Sequence, residues 1–120
     1  MAKILIVDDD PSMLSFLSKA LENAGHNIIA HDNGQDALDT LINMSDFDLL
    51  LSDVVMPGMD GIELSKKAVE HLPDLKIMFI TGFSASLISG PKTANMSNKV
   101  IPKPFHLNDL VARVEKILQE

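Results

Sequence analysis

An α/β fold, a doubly wound parallel sheet of five strands with helices on both faces, is what this sequence predicts, and three observations predict it. Short apolar runs alternate with stretches of helical period along all 120 residues. The run Leu49-Leu50-Leu51 lacks the alternation of a half-exposed strand, as expected of one covered on both sides. The runs also stop abruptly, at Asp8, Asp53, Thr81 and Pro102, where turn-forming or polar residues take over.

The first strand is Ile4-Leu5-Ile6-Val7, halted by Asp8-Asp9-Asp10-Pro11. Asp10 before Pro11 is a helix start: the carboxylate caps free amides and the proline ring suits the first turn. Met13, Phe16, Leu17, Ala20, Leu21 and Ala24 then recur at helical spacing until Gly25. A short second strand at Asn27 to Ala30 leads to a helix opened by Asn33-Gly34 and striped by Ala37, Leu38, Leu41 and Ile42. The central strand, Asp48 to Ser52, delivers Asp53 to the Pro57-Gly58 loop. Asp60-Gly61-Ile62-Glu63 is a capping-box pattern that starts a helix running to about His71, before Pro73. Lys76 to Ile80 is the fourth strand and ends at Thr81-Gly82. Ser84 to Gly90 can form a short helix, followed by a weakly patterned polar stretch to Asn98 that is expected to be mobile. Lys99-Val100-Ile101 closes the sheet, and Leu107, Leu110, Val111, Val114, Ile117 and Leu118 mark the last amphipathic helix.

Composition narrows the function. The chain has the length of one domain, with no room for a second. A formal charge of −7 and no basic cluster disfavour nucleic acid as a partner. No run is long and apolar enough to span a membrane, no export signal opens the chain, and there is no cysteine, so a cytoplasmic protein is expected. His26, His31, His71 and His106 lack ligand spacing and are expected at surface or boundary positions. Met13, Met44, Met56, Met59, Met78 and Met96 are expected mostly to fill the core.

In a parallel sheet every strand points the same way, so Asp8, Asp9, Asp53, Thr81 and Lys103 fall on one edge although the sequence scatters them. Carboxylates gathered there repel one another, and a hard divalent cation with oxygen ligands, Mg²⁺ above all, relieves that repulsion. Asp53 can then be the nucleophile of a phosphoryl transfer that yields an acyl phosphate, with Lys103 as a point charge and Thr81 as a hydroxyl donor. So labile a product suits a timed switch better than a bulk catalyst.

The ordered set Ile4 to Asp10, Asp53 with Met56-Pro57-Gly58-Met59-Asp60-Gly61, Thr81-Gly82 and Lys103-Pro104-Phe105 resembles the receiver domain of two-component response regulators, over the full chain. The resemblance implies a flavodoxin-like (βα)5 receiver fold with Asp53 as phospho-acceptor. It implies an acidic pocket of Asp8 and Asp9, and Mg²⁺ held by Asp9, Asp53 and the Val55 main-chain carbonyl. It further implies Thr81 as the switch hydroxyl, Lys103 as the phosphate sensor and a cis bond before Pro104. Lys19 to Gly25, Asp32-Asn33-Gly34, Met59 to Leu64, Met78 to Phe83 and Lys103 to Leu107 look like the stand-alone CpdR-type receivers of alphaproteobacteria. That subgroup implies a phosphorelay through a histidine phosphotransferase or histidine kinase, and an unphosphorylated form that primes the ClpXP protease for cell-cycle substrates. A monomer or weak dimer without an output domain is expected, not an enzyme beyond phosphotransfer onto Asp53 and its reversal.

Many receivers carry Tyr or Phe three residues before the lysine, where this chain has Val100. Phe83 and Phe105 are the aromatic candidates to replace that switch; Phe105 is expected to pack on the core, and both readings of Phe83 stay open. Phosphorylation is expected to shift a population between two arrangements, with output from residues 83 to 98 and the last helix. A relay intermediate and a chemotaxis-type diffusible regulator are the alternatives. More remote is a phosphatase of haloacid-dehalogenase type with Asp8 as nucleophile, disfavoured by length and by Pro11. A dinucleotide-binding fold lacks its glycine-rich turn.

Overall fold

The computed structural model describes residues 1–81, 100–103 and 105–120. The expected helix from Ser84 to Gly90, Phe83, Met96, the peptide bond before Pro104 and the output segment 83 to 98 lie outside the described residues.

Five strands form one parallel sheet: β1 (Lys3–Val7), β2 (Asn27–His31), β3 (Leu49–Asp53), β4 (Lys76–Thr81) and β5 (Val100–Pro102), in the order β2-β1-β3-β4-β5. The described helices are α1 (Pro11–Asn23), α2 (Gly34–Asn43), α3 (Gly61–His71) and α4 (Leu107–Leu118). The predicted starts hold in atomic detail. Asp10, Asn33 and Asp60 cap α1, α2 and α3 by accepting from Ser12 N–H, Asp36 N–H and Glu63 N–H at 3.0, 2.8 and 2.8 Å.

Side-chain alternation along the strands splits the core in two. Ile4, Ile6, Leu49, Leu51, Met78, Ile80 and Ile101 meet Leu17 and Leu21 of α1 and Leu110, Val114 and Ile117 of α4. On the other face Leu5, Val7 and Leu50 meet Ala37, Leu38 and Leu41 of α2 and Leu64 and Ala68 of α3. All five residues of β3 are buried, which explains its unbroken apolar run.

Several side chains depart from expectation, among them Leu107, which is 40% exposed at the first residue of α4. Phe16 and Ile42 share the helical period of their stripes but lie at the stripe's margin, each 45% exposed. Met44 is exposed because it follows the last turn of α2 instead of belonging to its inner face. His26 is not a surface residue: it is buried, its Nδ1 accepts the Ala2 N–H at 3.1 Å, and Nε2 donates to Glu115 Oε1 at 2.7 Å. One neutral tautomer satisfies both contacts, so His26 joins the start of β1 to α4. Phe105 packs on the α1/α4 face of the core, as expected, with its ring 6.5 Å from that of Phe16.

Candidate functional site

Connection order places the site. The chain runs outward from β1 to β2 and returns on the other side of β1 to β3, so the carboxyl ends of β1 and β3 flank the point where strand order reverses. Val7 pairs with Ser52, and Asp53 with Ile80, which brings the residues following β1 level with the end of β3. Asp8, Asp9 and Asp53 each present a carboxylate oxygen within 4.8 Å of the others, the group among the described residues able to hold a metal ion. Lys103, one residue past β5, places Nζ 3.4 Å from Asp53 Oδ2 and 3.6 Å from Asp8 Oδ2. Its N–H donates to the Thr81 carbonyl at 2.8 Å, so the β4–β5 ladder carries the lysine to the site.

The surroundings of the acids differ. Asp9 is exposed, Asp53 is 8% exposed and Asp8 is fully buried. Asp8 Oδ1 accepts the Asp10 N–H at 2.9 Å, whereas Asp8 Oδ2 has no hydrogen-bond partner among the described residues. Burial, opposed in part by the Asp10 amide and by Lys103 and reinforced by the charges of Asp53 and Asp9, pushes the Asp8 carboxyl above its ordinary value. Asp53 is held loosely by its side chain, with Oδ1 3.4 Å from the Val55 N–H and Oδ2 at the same distance from the lysine. Thr81 is fully buried at the end of β4, and Val55 is half exposed in the loop after β3. Val100 is buried, with its carbonyl accepting from Arg113 Nη1 at 3.2 Å.

The structure therefore assembles Asp8, Asp9, Asp53 and Lys103, and puts Thr81 on the same edge. Sequence reasoning missed Ser52 and, although it placed Gly61 at a helix start, missed that glycine's contact with Asp53. Ser52 is fully buried and donates its hydroxyl to the Asp53 carbonyl at 2.8 Å, and Gly61 lies directly against that same carbonyl. The available signal was a lone polar residue inside the run Leu49-Leu50-Leu51-Ser52. A cavity of about 510 Å³ lies at the opposite pole, where Ala2, Asp48 and Lys76 begin or precede strands, and it takes no part in this edge.

The fold is the flavodoxin-like receiver fold of the chemotaxis protein CheY, and the site is an acidic pocket facing a lysine. The response regulator receiver domain profile matches residues 4–115, and the chain belongs to that family. It is 52% identical to the response regulator receiver protein CpdR of Brucella abortus (strain 2308), over 98% of each chain. Among solved structures it is similar to the receiver domain of the hybrid histidine kinase CckA, with a TM-score of 0.79 and 33% identity over 98% of this chain and 99% of that one. It also resembles chemotaxis protein CheY4 of Vibrio cholerae, with a TM-score of 0.81 and 27% identity over 98% of each.

Receiver domains bind Mg²⁺ at an acidic pocket, and the residues here fit that ion. Three hard oxygen donors crowd together with one lysine among them, and a buried Asp8 oxygen lacks a hydrogen-bond partner among the described residues. Among the described residues no helix is long and apolar enough to cross a membrane.

Proposed function

We propose that this chain is a response regulator whose Asp53 accepts a phosphoryl group, and that its output is a protein contact switched by that event. The observation that carries the reading is the convergence of Asp8, Asp9 and Asp53 oxygens within 4.8 Å beside Lys103 Nζ, 3.4 Å from Asp53. An Asp53 oxygen attacks the phosphorus of a phosphohistidine on a histidine kinase or phosphotransferase. The O–P bond forms as the P–N bond breaks, and the imidazole leaves with the electron pair. Lys103 offsets the added charge, and the buried Thr81 hydroxyl is the group that reorients toward the phosphoryl oxygens. Mg²⁺, held by Asp8, Asp9, Asp53 and the Val55 carbonyl, would supply charge neutralisation for the transferring group. Water returns the acyl phosphate to the carboxylate and inorganic phosphate.

The test is intact-protein mass after exposure to acetyl phosphate with Mg²⁺. A single phosphoryl adduct that needs Mg²⁺ and is absent from Asp53→Asn is expected; an adduct that survives the substitution sinks the assignment. Steady hydrolysis of a chromogenic phosphate ester would instead favour a phosphatase with Asp8 as nucleophile.

The finer reading is a cytoplasmic adaptor that, unphosphorylated, primes the ClpXP protease for cell-cycle substrates. Its support is the match of motifs to CpdR-type receivers and the likeness to CpdR along nearly the whole of both chains. The likeness to CheY4 favours a chemotaxis-type diffusible regulator as the second reading. Capture of ClpX by the unphosphorylated chain, lost on phosphorylation, is the outcome expected of the adaptor and not of the diffusible regulator.

A further inference from the structure

We infer that Ser52 and Gly61 are positioning residues that clamp the main chain immediately after Asp53, and so set where its carboxylate meets Asp8 and Asp9. The inference rests on the phospho-acceptor reading of Asp53. Among the described residues, Asp53's own side-chain contacts are long, 3.4 Å to the Val55 N–H and 3.4 Å to Lys103 Nζ, too weak to place the carboxylate. The backbone must place it.

Three short contacts converge on the two peptide units that follow the acid. The Ser52 hydroxyl, fully buried, donates to the Asp53 carbonyl at 2.8 Å. The Gly61 N–H, at the first residue of α3, donates to the Val54 carbonyl at 2.9 Å, while the Val54 N–H donates to Ile80 of β4 at 3.2 Å. Gly61 itself is pressed so close that a Cβ there would lie 2.1 Å from the Asp53 carbonyl oxygen, 3.0 Å from its carbon and 3.0 Å from Ser52 Oγ. The nearest of these atoms, the Asp53 carbonyl oxygen, is backbone, which cannot swing aside as a flexible side chain would.

Gly61 is therefore a glycine for proximity: its lack of a Cβ lets α3 dock on the end of β3. The docked helix and the serine hydroxyl together hold the segment that carries both the Asp53 carboxylate and, two residues on, the Val55 carbonyl. Nucleophile and metal donors on this segment move as one piece when the clamp is altered.

The experiment uses the full chain and four forms: wild type, Ser52→Ala, Gly61→Ala, and Ser65→Ala as control. Ser65 is a second buried serine whose hydroxyl donates to a backbone carbonyl, Ile62, at 2.8 Å, away from Asp53. Three quantities are read: the ¹³C shift of the Asp53 carbonyl, the affinity for Mg²⁺ alone by NMR titration, and the rate of adduct formation with acetyl phosphate. Ser52→Ala is expected to move the Asp53 carbonyl resonance upfield, weaken Mg²⁺ binding and slow the adduct about tenfold. Gly61→Ala displaces backbone and should slow it about a hundredfold, the scale of a 1 Å misplacement. Ser65→Ala is expected to match wild type in all three.

A Ser52→Ala protein whose carbonyl resonance moves while Mg²⁺ affinity and rate stay at wild-type values overturns the positioning role. So does a Ser65→Ala protein that loses as much as Ser52→Ala, because the effect is then one of general stability. If Gly61→Ala does not fold, Ser52→Ala alone decides. Wild type that takes no adduct overturns the phospho-acceptor reading beneath the inference, and that result is distinct from a variant-specific one.

Discussion

Asp8 is the residue with the most at stake in this pocket. Its Oδ2 is buried with no hydrogen-bond partner among the described residues, a costly setting for a carboxylate, and burial raises its pKa. The folded chain holds the Asp8 proton more tightly than the unfolded chain, so Asp8 removes stability as pH climbs above its ordinary value near 3.8, and removes none below it. Asn keeps an oxygen for the Asp10 N–H and carries no charge. Asp8→Asn is thus expected to be more stable than wild type at pH 7 without divalent cations, with the advantage vanishing at pH values below about 3.8. Urea denaturation across that range checks it. Added Mg²⁺ should reverse the order by stabilising wild type more than the variant, through linkage between binding and folding.

Between elements, the joints matter more than the elements themselves. The α2 cap is local, one side-chain acceptor on one orphan amide, and Asn33→Ala is expected to lower stability by about 1 kcal/mol in chemical denaturation. His26 is a joint of another kind, tying Ala2, the residue before β1, to α4 through two bonds made by one buried ring. His26→Phe keeps the bulk and removes both bonds, leaving the Ala2 N–H without its acceptor, at an expected cost of about 1–3 kcal/mol. If His26→Phe melts like wild type, the ring is only a filler. Arg113 makes a third joint, bonding Asp109 within α4 and the Val100 carbonyl at the start of β5.

At the scale of the molecule, β5 is a three-residue strand held at both ends, by Arg113 on α4 and by Lys103 at the acidic pocket. A charge added at Asp53 pulls on one end of that strand, and α4 is fastened to the other. Lys103→Ala is expected to retain some adduct formation but to lose most of the amide shift changes that phosphorylation produces in α4 and β5. Full-sized changes in the variant would mean that the lysine does not transmit the event.

The sequence by itself determined the fold class, the order of elements and three helix caps, because these follow from local patterns: apolar period, capping acids and turn residues each act within a few positions. It also made the acidic edge legible, since parallel strands necessarily bring Asp8, Asp53, Thr81 and Lys103 to one side. Tertiary structure alone decided the rest. Burial of His26, the margin positions of Phe16 and Ile42, the burial of Asp8 and the clamp of Ser52 and Gly61 on Asp53 depend on residues distant along the chain or on a close approach of backbones. No periodicity records how near α3 comes to the end of β3. That distance is set by packing in three dimensions, and glycine is required because a Cβ at position 61 would lie 2.1 Å from the Asp53 carbonyl oxygen.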